Sequence, residues 1–221
     1  MSIKFQTVHI DHRQYPWLAV TTEKAGILTR CITESHDALW FKSISLAFNF
    51  AELVMNEFLD EKVLDEERAA QIMVDMAIVC AGNTGAGLLC TTWFSQEKEH
   101  VFLSCGTNRL ILVSEGQATE MITPHSLAVT LRAQGQTAIK QRADFIATHL
   151  LGQNCKAGDI RNARIQNDSN AAVVLAADVR VLRALTTSTV EVSEVESYLQ
   201  TYLESMPAGD HTYCVFSFKS D

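Results

Sequence analysis

Three aspartates lie where predicted strands begin or end. Asp37 precedes a predicted strand at Leu39–Phe48, Asp178 follows one at Ala171–Ala177, and Asp210 precedes one at Thr212–Lys219. Carboxylates at strand ends can converge on hard cations such as Mg²⁺ or Mn²⁺, and two such ions can activate water and clamp a phosphoryl group. The alternative is that these residues form turns by hydrogen bonding to their own backbone, and spacing alone favours that alternative.

One arginine lies close in sequence to two of the chain's acids. Arg30 precedes Glu34 by four residues and Asp37 by seven. A guanidinium beside carboxylates can bind phosphate bidentately at a metal site. The alternative is a surface ion pair worth ~0–1 kcal/mol. No histidine forms a catalytic set by spacing, so we assign no catalytic residue.

Composition limits the class of protein. The chain has 221 residues and a formal charge of −8, with 47% hydrophobic and 20% charged residues. These values are typical of an ordinary soluble domain, and we expect one domain over residues 1–221 because no linker-like tract divides it. The negative charge argues against nucleic acid and anionic membranes as partners. Without an export signal, we expect a cytoplasmic protein whose six cysteines are free thiols.

The order of the predicted elements favours stacked antiparallel sheets over an alternating parallel sheet, because strands come in runs and helices in pairs. Further strands are predicted at Ile3–Ile10, Trp17–Thr22, Gly85–Phe94, Val101–Ser104, Arg109–Val113 and Ala118–Ile122. Helices are predicted at Ala51–Leu59, Asp65–Ala81, Ser126–Ala133, Thr137–Leu151, Val179–Leu185 and Val192–Met206.

Several of these segments, in this order, resemble the metal-dependent protein phosphatases of the PPM or type 2C Ser/Thr family. The longest such segment is Gly82–Ala128, which contains GTNR at the place of the family's G-D-S-R turn. Arg30–Ala38 resembles the R-x-x-x-E-D-A motif, Val173–Leu185 the strand ending in S-D-G, and Asp210–Phe218 the D-N motif before the last strand. The resemblance implies an α+β, four-layer α-β-β-α sandwich of two mainly antiparallel sheets with helix pairs on both faces.

The same resemblance implies that the metal site is degenerate. The family's D-G-x-G-G motif, which supplies a metal-bridging aspartate, corresponds to Ser45–Leu59, where Phe48 and Asn49 replace Asp-Gly. Three further family positions are also changed: Thr107 replaces the Asp of G-D-S-R, Val179 the Gly after Asp178, and His211 the Asn after Asp210. Two carboxylates without the bridging aspartate should hold a metal pair poorly.

Three hypotheses follow. The first, which we favour, is a catalytically impaired phosphatase-like protein that binds a protein partner or phosphoprotein, serves regulation and has no cofactor. The second is an active Mn²⁺- or Mg²⁺-dependent Ser/Thr phosphatase in which Asp178, Asp210 and a substitute such as Asp37 or Glu52 hold metal. There, metal-bound hydroxide would attack the phosphate that Arg30 holds. The third is an unrelated α/β sandwich.

Overall fold

Two antiparallel sheets form the framework of the chain. The computed structural model describes residues 2–8, 18–32, 40–82, 84–166, 170–176, 179–205 and 211–218. From edge to edge, the first sheet consists of β1 (Ser2–Val8), β10 (His211–Phe218), β9 (Ala171–Ala176), β6 (Arg109–Ser114) and β7 (Gln117–Ile122). The second consists of β2 (Leu18–Thr21), β3 (Ala25–Ile32), β4 (Gly87–Ser95), β5 (Glu99–Cys105) and β8 (Arg161–Gln166).

Helices cover the outer face of each sheet. The helices are α1 (Trp40–Asp60), α2 (Glu66–Ala81), α3 (Leu127–Ala133), α4 (Val179–Thr186) and α5 (Val195–Glu204). All but α3 pack on a sheet, and α3 contacts the short 3-10 helix Gln141–Phe145. Phe50 and Val54 of α1 and Ile72 of α2 share one buried cluster with the second sheet. Val181 of α4 and Leu199 of α5 share another with the first sheet.

A third hydrophobic cluster fills the space between the two sheets. Leu28 and Trp93 of the second sheet pack there with Leu110 and Leu175 of the first. Side chains alternate between the two faces of a strand, so each sheet contributes one face to this layer and the other to its helices. The predicted four-layer sandwich is confirmed, and β10, which contains Val215 and Phe216, lies between β1 and β9 as expected. The side chains of those two residues lie outside the described set.

Local sequence explains α2 well. The Asp65 carboxylate accepts a hydrogen bond of 2.8 Å from the backbone N–H of Arg68, and Gly82 caps the other end, as predicted. The predicted packing of this helix beside α1 on one sheet is also confirmed. Of the side chains expected to be buried there, Phe58 and Ile72 are buried, Leu53 and Met76 are half-buried, and Val79 is 69% exposed. The prediction for Val79 is wrong because it lies on the outer face of the helix pair.

The predicted strand at Leu39–Phe48 is wrong, because the chain from Trp40 to Asp60 is one continuous helix. Its aromatic and β-branched residues favour a strand locally. Its buried positions, however, follow a helical spacing: Ala47, Phe50, Ala51, Val54, Met55 and Phe58. Burial of this stripe against the second sheet outweighs the local strand preference.

The predicted helix at Thr137–Leu151 is also wrong. Only Gln141–Phe145 forms a short 3-10 helix. Beyond this turn, backbone groups of the segment bond to distant parts of the chain: the Leu151 N–H donates to Leu88 O at 3.1 Å and the Thr148 N–H donates to His125 O at 2.8 Å. These tertiary hydrogen bonds replace the helical ones.

Candidate functional site

The strand ends next to the predicted site residues lie at one end of the sandwich. The connection from β5 to β6 crosses from the second sheet to the first within Gly106–Asn108, so Cys105 and Arg109 lie at the same end. In the first sheet, Ala176 at the end of β9 lies opposite both Arg109 and Tyr213. In the second sheet, β3 ends at Ile32 beside the start of β4. We call this end the crossover end.

Arg30 lies at the crossover end and faces the space between the sheets. Leu28 and Ile32, two residues before and after it on β3, both pack in the cluster between the sheets. Alternation along the strand therefore places Arg30 on the same face. Its cross-strand neighbour Leu89 belongs to that cluster too, and the Nε atom of Arg30 is buried. The Arg30 side chain therefore points into the sandwich rather than away from it, and its role in a site stays a prediction.

The three candidate metal ligands Asp37, Asp178 and Asp210 lie outside the described residues, as does Glu34. Their strands, however, are described. Asp178 follows the end of β9 by two residues, and Asp210 directly precedes β10, which pairs with β9. Asp37 precedes helix α1, not the strand that the sequence predicted.

Helix α1 contains the two residues predicted to replace the metal-bridging motif and the residue considered as a substitute metal ligand. Phe48, Asn49 and Glu52 are all exposed on this helix, and Phe48 is 52% exposed. The predicted strand before Phe48 does not exist, and the strand that precedes α1 is β3, which ends at Ile32. Phe48 and Asn49 therefore do not occupy a strand end, and the exposed outer face of the helix does not support Glu52 as a substitute ligand.

The crossover turn itself depends on glycine. Gly106 has φ = +108°, and an added Cβ would lie 2.3 Å from Cδ2 of Leu89. Both the left-handed backbone and the close neighbour exclude larger residues without a shift of the surroundings. Gly106 also exchanges hydrogen bonds with His125: its carbonyl accepts from the His125 N–H at 2.7 Å, and its N–H donates to Nδ1 at 3.4 Å.

The two residues after Gly106 are buried and neutral. Thr107 is 4% exposed and Asn108 is 1% exposed. The Asn108 side chain donates from Nδ2 to Thr91 Oγ1 at 3.0 Å, and Thr91 Oγ1 lies 2.9 Å from Ser104 Oγ. This chain of hydroxyl and amide groups connects the turn to β4 and β5. Thr107 thus occupies, without a carboxylate, the position that the resemblance compares with a metal-related aspartate.

Arg109, the residue after the turn, forms ion pairs that the sequence does not predict. Its guanidinium donates to Glu120 on β7 and, at 3.1 Å, from Nη2 to Oδ1 of Asp144. The side chains of Arg109 and Asp144 are each 4% exposed. The more exposed Arg132 lies 3.6 Å from the same Asp144 oxygen. This network attaches the irregular segment around Asp144 to the first sheet.

Two other groups at this end are held neutral. The pKa of His125 is lowered to about 4, chiefly by burial and then by the nearby charges of Arg161 and His149, and the His149 ring lies 4.7 Å away. The pKa of Cys31, near the end of β3, is raised to about 11 by burial, against a hydrogen bond with Ser43 that lowers it. His125 is therefore a hydrogen-bond acceptor at neutral pH, and Cys31 is a thiol rather than a thiolate.

Two further residues replace family motif residues, and each is the first residue of a helix or strand. Val179 is the first residue of α4 and His211 the first of β10, and their side chains are not described. Within the described residues, no group of three or more His, Cys, Asp or Glu side chains is placed to hold a metal ion. In the same part of the chain, no helix combines the length and apolar character that crossing a membrane requires.

Solved structures identify the fold. The Ser/Thr phosphatase of S. agalactiae superposes with a TM-score of 0.70 at 14% identity, covering 98% of this chain and 99% of that one. The Ser/Thr phosphatase Stp1 of Staphylococcus aureus gives 0.67 at 15% identity, with 99% and 95% covered. The catalytic domain of PstP in complex with two manganese ions gives 0.69 at 13% identity, with 97% and 95% covered.

No protein-family model and no curated protein sequence matches the chain. The structural similarity nevertheless extends over nearly the whole chain. The chain has the fold of the PPM-type Ser/Thr phosphatases, and the hypothesis that it has a different sandwich fold is wrong.

Proposed function

We propose that this chain is a catalytically impaired member of the PPM phosphatases that binds a protein partner, in phosphorylated form, and serves a regulatory role. The observation that carries the proposal is Thr107: a buried, neutral side chain in the crossover turn where the resemblance places an aspartate. Arg30, between the sheets at the same end, supplies the guanidinium that a phosphate would bind. The crossover end would then bind the phosphate of a partner protein without hydrolysing it efficiently.

The described groups at the crossover end do not fit a pair of divalent cations. Arg30 is cationic, Thr107 and Asn108 offer a hydroxyl and an amide, and burial keeps Cys31 protonated. The carboxylates of Glu120 and Asp144 are both paired with Arg109. Mg²⁺ and Mn²⁺ prefer anionic oxygen ligands, and the number of such ligands sets affinity. The loss of an anionic ligand should weaken metal binding at least as much as the ~10–100-fold typical of changes around the ligands.

The alternative is an active, divergent phosphatase, and one observation favours it. Pairing of Tyr213 with Ala176 brings the end of β9 beside the start of β10, so Asp178 and Asp210 belong to neighbouring strand ends. With Asp37, they are the candidate ligands for Mn²⁺ or Mg²⁺ under this alternative.

Hydrolysis and metal binding separate the two proposals. We would measure turnover of a phosphothreonine peptide and of p-nitrophenyl phosphate at millimolar Mn²⁺, with Stp1 as a positive control and Asp178→Ala as the matched variant. Calorimetric titration with Mn²⁺ would accompany it. We expect turnover at the background level and weak Mn²⁺ binding. Robust turnover that disappears in Asp178→Ala would contradict the impaired-enzyme proposal and support the active phosphatase.

A further inference from the structure

A cavity of about 610 Å³ opens at the end of the sandwich opposite the crossover end. Three connections surround it: the turn between β2 and β3, the turn between β4 and β5, and the loop between α1 and α2. β3 runs from this cavity, at Ala25, to the crossover end, at Ile32. Small-molecule sites in proteins commonly have volumes of about 300–1,000 Å³. The cavity therefore has the size of a ligand site and lies apart from the predicted phosphate site.

Hydrogen bonds between the three connections fix the walls of the cavity. The Ser95 N–H donates to the Lys24 carbonyl at 2.7 Å, which joins the two turns. The Gln96 side chain donates from Nε2 to the Leu64 carbonyl at 3.1 Å, which joins the β4–β5 turn to the loop between the helices. A site whose walls are already in position needs less ordering when a ligand binds, so less of the binding free energy is lost.

Part of the cavity lining is apolar. Phe58 and Phe94 line it from the buried side, and their rings meet edge to face with 6.0 Å between the centroids. At the rim, Leu59 is 50% exposed and Val63 is 80% exposed, so the apolar surface continues to the solvent. An aliphatic chain in contact with these side chains would remove their surface from water, which is favourable. The cavity is therefore suited to a ligand with an apolar body.

The charged side chains that the cavity offers to a ligand are cationic. Of the two glutamates in its lining, Glu61 is paired with Arg68 at 2.5 Å, and Glu97 has a partner of its own. Lys24 and Lys62 line the cavity too, both exposed, and neither forms an ion pair with any of the described residues. An ammonium group on a flexible stem can reach a compact anionic head group at the rim.

We propose that this cavity binds a free aliphatic carboxylate, with its chain against Phe58 and Phe94 and its head group at Lys24 and Lys62. An uncharged chain would leave both lysines without an anion, and a small anion such as acetate would leave the apolar lining exposed to water. Only a ligand with both parts uses the whole cavity. The cavity shares no residue with the crossover end, so this inference does not depend on the proposed phosphate recognition.

Titration of the full-length protein with octanoate, below its micellar concentration, tests the proposal. Calorimetry should show one saturable site, and octan-1-ol and acetate should each bind several-fold more weakly than octanoate. In NMR spectra of the same titration, the amide signals of Val63 and Gln96 should shift, whereas that of Thr107 at the crossover end should not. Absence of saturable binding, equal binding of octan-1-ol and octanoate, or signal shifts confined to the crossover end would each overturn the proposal.

Charge variants test the two lysines separately from the apolar lining. Lys62→Gln should weaken octanoate binding about 2–5-fold, the effect of losing one exposed ion pair. The double variant with Lys24→Gln and Lys62→Gln should bind octanoate no more tightly than the unmodified protein binds octan-1-ol. Lys98→Gln is the matched control, because Lys98 is exposed on the same β4–β5 turn but does not line the cavity. Equal weakening in Lys98→Gln and Lys62→Gln would contradict the assignment, and the exposure of all three lysines means that each variant should fold.

Discussion

Arg109 and Asp144 form a buried ion pair, with 3.1 Å between Nη2 and Oδ1, that joins the first strand after the crossover turn to an irregular segment 35 residues further along the chain. Asp144 lies in the 3-10 helix Gln141–Phe145, where the sequence predicted a regular helix. Beyond the short 3-10 turn, the segment is thus held by a specific charge contact and by backbone hydrogen bonds to β4. Its position should therefore depend on that contact.

The first prediction concerns the stability that this pair provides. Asp144→Asn leaves the Arg109 guanidinium buried with only Glu120 as its anionic partner, and the free energy of unfolding should fall by about 3 kcal/mol. Glu61→Gln is the control, because the Glu61–Arg68 pair is 2.5 Å long but its side chains are 28% and 45% exposed. That control should lose less than about 1 kcal/mol. Urea denaturation of the three proteins measures both, and equal losses would contradict the prediction.

A second prediction follows from His125. Its pKa lies near 4 in the folded protein and near 6.5 in the unfolded chain, mainly because burial disfavours the charged ring. Between these values the unfolded chain binds a proton that the folded protein does not. Stability is therefore complete above pH 6.5 and falls as the pH drops towards 4, by roughly 2–3 kcal/mol from this group.

His125→Asn tests this prediction, because Asn keeps an acceptor for the Gly106 N–H but does not titrate. Denaturation of both proteins at pH 7 and pH 4.5 should show a smaller loss of stability for the variant. Burial lowers the pKa of His100 too, so this residue adds its own pH dependence to the stability of both proteins. That contribution is the same in both proteins and cancels in the comparison. Identical pH dependence in the two proteins would show that His125 is not the group responsible.

The third prediction is that freshly prepared protein contains six free thiols. Five of the six cysteines are free in the structure: Cys31, Cys80, Cys90, Cys105 and Cys155. The side chain of Cys214 lies outside the described residues. Titration of the denatured protein without reductant should count six thiols, and a lower count before any oxidant is added would contradict the prediction.

Local sequence patterns account for much of the fold. Asp65 and Gly82 mark the ends of α2 because caps act through neighbouring residues. β3 was not predicted, because its sequence does not alternate between polar and apolar residues: six of its eight positions are buried, on both faces of an internal strand. β8 was not predicted for the opposite reason, because this edge strand is largely polar and exposed. Both segments form strands because of where they lie in the sheet, and not because of an alternating pattern in their own sequence.

Prediction of the site was limited by contacts between distant residues. The turn Gly106–Arg109 was predictable, because its glycine and its place between two strands are local features. The contact of Arg109 with Asp144 was not, because it joins residues that only the folded chain brings together. The comparison of Phe48 and Asn49 with a strand-end motif depended on a predicted strand, and the helix that replaces it places both residues on an exposed surface.

The last prediction tests phosphate recognition at Arg30. A planar guanidinium binds two phosphate oxygens at once, whereas an ammonium group acts as a point charge and glutamine carries no charge. Binding of a phosphothreonine peptide should therefore weaken about 10-fold or more in Arg30→Gln, a loss of about 1.4 kcal/mol, and less in Arg30→Lys. Arg183→Gln is the matched control, because Arg183 is exposed on α4. Fluorescence anisotropy with the phosphorylated and unphosphorylated peptide measures the effect, together with circular dichroism to establish that each variant is folded. Equal affinity of folded Arg30→Gln and the unmodified protein, or equal affinity for both peptides, would exclude Arg30 as the phosphate-binding residue.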